Sequence, residues 1–201
     1  MTKLDKIKLI LIIIIATIGA LYIYNNFKSK ENKEIITDKF LLEYNQLNEN
    51  HIFKNKNSSE IYNILNNETG IVFFCNSSSS WCQTYAKLLD ETARSNNVEV
   101  IYHNDIKEDR NINSNNYRRI VKYLAEFLDS DDANNKRLNM PCTVFIKNGK
   151  IIALDKTTSL ISSDIETNEY WTKEHIREFK NQINENIYKI NNDVVETKEE
   201  L

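Results

Sequence analysis

The richest chemistry in the chain lies around Ser79-Ser80-Trp81-Cys82, where a serine run ends in a tryptophan and a cysteine at the head of a predicted helix. A thiol in the first turn of a helix meets unpaired backbone amides and the positive end of the helix dipole. Both favour the thiolate, the form that attacks disulfides. A serine hydroxyl cannot cycle between redox states, so Cys82 is the redox-capable group of these four residues. Two further cysteines, Cys75 before the serines and Cys142 directly after Pro141, bring the count to three. That is too few for a disulfide framework, and an odd number leaves at least one thiol free or intermolecular. The histidines His51, His103 and His175 are dispersed and no zinc-type spacing occurs, so no metal or other cofactor is expected. His103 and Asp105 fall where a predicted strand runs out, with no nucleophile in sequence reach, and read as structural.

The elements that position these residues follow from hydrophobic periodicity. An apolar run at 71–75 reads as a central strand covered on both faces. The helix after the serines, over 81–94, carries Tyr85, Leu88, Leu89 and Thr92 on one stripe. Before them, 51–54 reads as a short strand and 60–67 as a helix with Ile61, Ile64 and Leu65 inward, capped from the Ser58-Ser59 side. After them, 98–103 alternates as a strand, 107–116 as a charged loop, and 117–128 as a helix with Tyr117, Ile120, Val121, Leu124, Phe127 and Leu128 inward. Met140-Pro141 opens a strand to Ile146, Asn148-Gly149 centres a hairpin turn, and 151–154 returns antiparallel. Thr172 can cap a last helix over 173–190, with Ile176, Phe179, Ile183, Ile187 and Ile190 inward. Tyr170-Trp171 before it reads as a packing staple. Consecutive β-α-β units make the strands parallel, which predicts an α/β layer.

Ahead of this lies a basic start, 1–8, with Lys3, Lys6 and Lys8. An uncharged run over 9–27 follows. Its sixteen-residue Ile/Leu-rich stretch, 9–24, would cover roughly 24 Å as a helix, and flanking lysines can snorkel to the surface. Ala16 and Ala20 are out of Ala-x-Ala register and no lipoprotein box occurs, so a single-pass signal anchor is favoured over a cleaved, secreted form. The basic flank favours the N-terminus inside and the domain extracytoplasmic. Residues 28–50 read as a spacer with a helical segment, 51–190 as the folded domain and 191–201 as a charged tail. A net charge of −3 from scattered charges of both signs offers no footprint for nucleic acid.

The order β-α-β-α-β-(α)-β-β-α, with Trp81-Cys82-Gln83 between strand and helix and Met140-Pro141 before Thr143-Val144-Phe145-Ile146-Lys147-Asn148-Gly149-Lys150, resembles the thioredoxin superfamily. Thr69-Gly70-Ile71-Val72-Phe73-Phe74 belongs to the same ordered set. The chain is most similar to membrane-anchored or secreted thioredoxin-like proteins of Gram-positive bacteria, including those called bacteriocin transport accessory proteins. The resemblance covers about residues 51–190 and implies a thioredoxin-like fold, a central mixed sheet flanked by helices, here after a transmembrane helix. It also implies thiol-disulfide oxidoreductase chemistry on protein thiols or extended peptide segments. The family's Cys-x-x-Cys places its second cysteine at Cys82 and its first at Ser79, so the site is degenerate. The family proline is cis, which carries over to Pro141. On this reading Cys82 attacks, Ser79 donates a hydrogen bond, and Trp81, Met140 and Pro141 contact substrate. A non-catalytic binding or accessory module using the same groove is the alternative. Cys75 with Cys142, or Cys82 with Cys142, are the disulfides that would restore a redox pair, provided their Cα atoms lie within roughly 4.4 to 6.8 Å.

Overall fold

The computed structural model describes residues 17–21, 39–161 and 164–192. Contacts divide the chain into two units, Met1–Leu42 and Glu43–Leu201. In the first, 17–21 are helical and exposed. The rest of the anchor predicted over 9–27 lies outside the described residues. Among the described residues no helix is long and apolar enough to cross a membrane. The second unit begins earlier than the expected boundary at residue 51, because Tyr44 is built into its core, fully buried.

The second unit is a mixed α/β layer. α1 (Lys39–Glu43) ends at the start of this unit, which then carries β1 (Phe53–Asn55), α2 (Ser58–Asn67), β2 (Gly70–Phe74), α3 (Ser80–Ser95), β3 (Ile101–Asn104), α4 (Lys107–Asn111) and α5 (Asn115–Tyr123). β4 (Cys142–Lys147), β5 (Lys150–Asp155), α6 (Thr167–Tyr170) and α7 (Lys173–Asn191) complete it. The five strands run in the order β1-β3-β2-β4-β5. β1, β3 and β2 are parallel; β4 pairs antiparallel with β2, and β5 antiparallel with β4.

Register decides what each face of the sheet buries. Val72 lies opposite Val144 and Phe74 opposite Cys142, and facing residues of an antiparallel pair project to the same side. That side packs on Ile61, Ile64 and Leu65 of α2 and Ile120 of α5. The alternate residues Phe73 and Thr143 face the other way. There Phe73 stacks on Tyr85 of α3, ring centroids 5.2 Å apart, and Tyr85 meets Phe179 of α7 edge-on at 4.7 Å. Burying each of these large rings contributes roughly 1.5–3 kcal/mol.

The elements differ locally from expectation. The helix α2 is capped by Asn57, not by a serine: its side chain accepts from the amides of Ser59 and Glu60, while Glu60 accepts from the amide of Asn57. The charged loop expected at 107–116 contains α4, with Glu108 and Asp109 in its first turn and Asp105 accepting from the Lys107 amide at 3.1 Å. α5 stops at Tyr123 and a 3-10 turn, Ala125–Phe127, follows, which leaves Phe127 exposed and Leu128 buried. Thr172 caps α7 as expected, its hydroxyl accepting from the His175 amide at 3.2 Å.

Candidate functional site

Cys75 directly follows β2, and Cys82 sits in the first turn of α3. The two form a disulfide with Cα atoms 5.7 Å apart, seven residues apart in sequence. The pairings considered from sequence, Cys75 with Cys142 and Cys82 with Cys142, are therefore corrected. The pleat supplies the reason. Cys142 shares a face with Phe74, so Cys75, one residue further on, points to the opposite face, where α3 delivers Cys82. Cys142 is the free cysteine, fully buried in the α2/α5 side of the core. Burial, reinforced by the negative charge of Asp155, pushes its thiol well above the usual range.

The loop between the two cysteines is fixed by its own hydrogen bonds. The Asn76 side chain accepts from the amide and hydroxyl of Ser78 and donates to the Asp105 carboxylate. Gln83 donates to the carbonyls of Ser77 at 2.6 Å and Glu43 at 2.7 Å. Ser79 occupies the N-cap of α3, but its hydroxyl caps nothing. It lines instead a cleft of about 260 Å³ together with Asn76, Cys82, Lys107, Arg110 and Met140.

The Met140–Pro141 peptide is cis, as the resemblance implies. Met140 reaches the cleft, while Pro141 is buried behind it. Trp81 does not line this cleft. Its ring packs against Tyr170 at 5.3 Å, while the neighbouring Ser80 hydroxyl bonds Thr167 at 2.7 Å. One residue before Cys82 is about 100° around the helix, so Trp81 faces α6 and packs there.

Two features of the site go beyond the sequence reading, which took His103 only as a structural residue. The first is His103. Its Nε2 lies 2.9 Å from the Cys75 carbonyl and 3.0 Å from the Tyr44 hydroxyl, which itself donates to that carbonyl at 3.2 Å. A neutral ring that donates from Nε2 satisfies the carbonyl. Nδ1 then accepts from the side-chain amide of Asn55, 2.6 Å away, once that amide is turned to face it. Burial lowers the His103 pKa from 6.5 to about 4, against the opposing pull of the Cys75 carbonyl and Asp105. The second is a buried polar chain one turn beyond Cys82. Thr143 donates to the Tyr85 hydroxyl at 2.8 Å, and Tyr85 donates to Asp155, which also accepts from the amide and hydroxyl of Thr157. The signal for His103 was its position near the end of a strand: β3 pairs parallel with β2, with His103 opposite Phe73, two residues before Cys75.

Compared with known proteins, the chain matches no family model, no curated protein and no solved structure.

Proposed function

We propose that residues 51–190, with the Tyr44 segment, form a thioredoxin-like domain of thiol-disulfide oxidoreductase type whose redox pair is Cys75–Cys82. The observation that carries this reading is the disulfide itself, which joins a central strand's end to the first turn of α3 in a cleft shared with Met140, beside a cis proline. Cys82 lines the cleft and Cys75 does not, so a substrate thiolate attacks Sγ of Cys82. The S–S bond breaks and its electron pair leaves on Sγ of Cys75. A second substrate thiolate then attacks the substrate sulfur of the mixed disulfide and releases Cys82. The substrate dithiol is oxidised to a disulfide, and the protein pair is reduced and takes up two protons. Run backwards, the same steps reduce a substrate disulfide.

Lys107 and Arg110 line the cleft and favour thiolate at Cys82. The free hydroxyl of Ser79 supplies a hydrogen bond to sulfur. Met140 presents backbone to an extended substrate segment, its place set by the cis peptide to Pro141 behind it. A disulfide persists in oxidising compartments, which supports an extracytoplasmic domain tethered by the uncharged run 9–27.

The test is thiol trapping. Dithiothreitol should reduce the pair in the folded protein. With Cys75→Ser, Cys82 should form a stoichiometric mixed disulfide with Ellman's reagent, whereas Cys82→Ser should leave Cys75 unreactive until unfolding. A native disulfide that yields to dithiothreitol only in urea would overturn the redox reading. One observation favours the second reading, a non-catalytic module that holds an extended peptide: Cys75 and Cys82 are 0% and 1% exposed, as a structural staple would be.

A further inference from the structure

Building on the reading that the Cys82–Met140 cleft takes an extended segment, we propose that the segment is acidic and that it runs on into a second, cation-lined cleft. This second cleft, about 590 Å³, is walled by Arg110, Arg118, Lys122, Lys136 and Arg137, with Asp131 its one carboxylate. Arg110 lines both clefts, and Lys107 adds a further cation to the first. The chain as a whole carries −3, so this concentration of positive charge runs against its background.

Among the described residues, the nearby carboxylates neutralise only one of its five cations, Arg137. Asp131 already accepts from the backbone amides of Ala133 and Asn135 and sits 3.6 Å from Arg137. Asp109 is turned to the Ser58 hydroxyl and Asp105 to Asn76. Arg118 and Lys136 donate to the carbonyls of Asn113 and Leu128, neutral partners that leave their charge in place. Among the described residues, the side chains of Arg110 and Lys122 have no hydrogen-bond or ion-pair partner at all, although Lys122 is exposed and Arg110 half-buried.

Carboxylates are the matching ligand chemistry, because arginine forks take them bidentately. Along an extended chain, alternate side chains repeat about every 7 Å on one side. Arg110 at the junction lets one strand place backbone against Met140 and acidic side chains against the cations beyond. That continuity with the disulfide cleft favours a peptide over a bulk polyanion.

The experiment uses the oxidised full chain and fluorescence anisotropy of labelled peptides of about ten residues, which span roughly 33 Å extended. One alternates Glu with Gly and its counterpart replaces Glu by Gln. The Glu peptide should bind at least about tenfold more tightly than the Gln peptide, and the difference should shrink with added salt. Arg110→Glu and Lys122→Glu should each weaken the Glu peptide several-fold while circular dichroism stays unchanged. Equal binding of both peptides, or full binding by both variants, overturns the proposal. So does inorganic polyphosphate displacing the peptide at equal charge concentration, which would mark a general polyanion surface. None of these readouts requires the disulfide to react. An inert disulfide with intact peptide binding would therefore sink the redox reading alone, and a reactive disulfide without charge preference would sink this one alone.

Discussion

His103 is held neutral behind the disulfide, and that neutrality has a measurable consequence. Its pKa is 6.5 when exposed and about 4 in the folded protein. Between those values the unfolded chain binds the extra proton and the folded one does not, so stability is complete above pH 6.5 and falls as the pH drops toward 4. A shift of this size corresponds to about 3 kcal/mol. Urea unfolding at pH 7, 5.5 and 4 should show that loss, and His103→Gln should be weaker at pH 7 yet flatter across the window. A parallel slope in both proteins would remove His103 as its source. The residue was readable as the end of a strand but not as a partner of Cys75, because that relation exists only once β3 lies beside β2, with His103 opposite Phe73. Cys82 stood out from its helical position alone. Its partner did not, since choosing between Cys75 and Cys142 requires knowing which face each residue takes. Tyr85 shows the same limit: its apolar stripe predicts burial, while its hydrogen bond to Asp155 depends on a strand seventy residues away.

At the scale of elements, the β4–β5 hairpin is the clearest case of local chemistry fixing structure. Asn148 and Gly149 both take positive φ, 49° and 67°, as a two-residue turn of the primed type requires. Gly149 is further constrained from outside. Its amide donates to the Glu68 carbonyl at 2.9 Å, its carbonyl accepts from Tyr123 at 2.6 Å, and a Cβ there would lie 2.0 Å from the Asn66 carbonyl oxygen. The turn thus fastens the hairpin to the end of α2. Gly149→Ala should lower stability by about 2 kcal/mol or more, combining unfavourable φ with a backbone clash. Asn148→Gly should cost less than about 1 kcal/mol, since only the Thr69 hydroxyl's bond to the Asn148 side chain is lost while the Asn148 amide still donates to Thr69. Thermal melts of the pair would separate the two effects, and equal melts would show that the Asn66 contact relaxes freely. The hairpin, α3 and α7 were legible because their signals are local: a turn dipeptide, a long apolar stripe and a Thr cap. α4 and α6, of five and four residues, carry too few periodic positions to register. The break after Tyr123 was hidden because Leu124 and Leu128 keep the helical stripe alive across a 3-10 turn.

At the scale of the whole molecule, the proposed extracytoplasmic placement rests on two independent features, the disulfide and the N-terminal composition, and can be tested through both. The crosslink spans seven residues, and closing so short a loop contributes about 2.5 kcal/mol through the unfolded chain. The fold's remaining stability comes from two buried faces of one sheet, so on the proposed redox reading the reduced domain should stay folded. Reduction should lower the urea midpoint without loss of near-ultraviolet circular dichroism in dilute urea. Collapse on reduction would instead make the disulfide a condition of folding, incompatible with cycling. In cells the full chain should sediment with membranes and resist carbonate washing, while a chain lacking residues 1–28 should be soluble. Protease added outside intact protoplasts should digest the domain, because the basic flank at 1–8 favours an N-terminus inside. The cysteine state supplies the decisive link. If the domain faces the oxidising side, alkylation in acid-quenched cells should find Cys75 and Cys82 paired and Cys142 as a thiol that reacts only after unfolding. Removing residues 1–28, and with them export, should yield three reduced cysteines in the cytosol. A pair that stays oxidised in the truncated cytosolic form would break the connection between anchor and redox state.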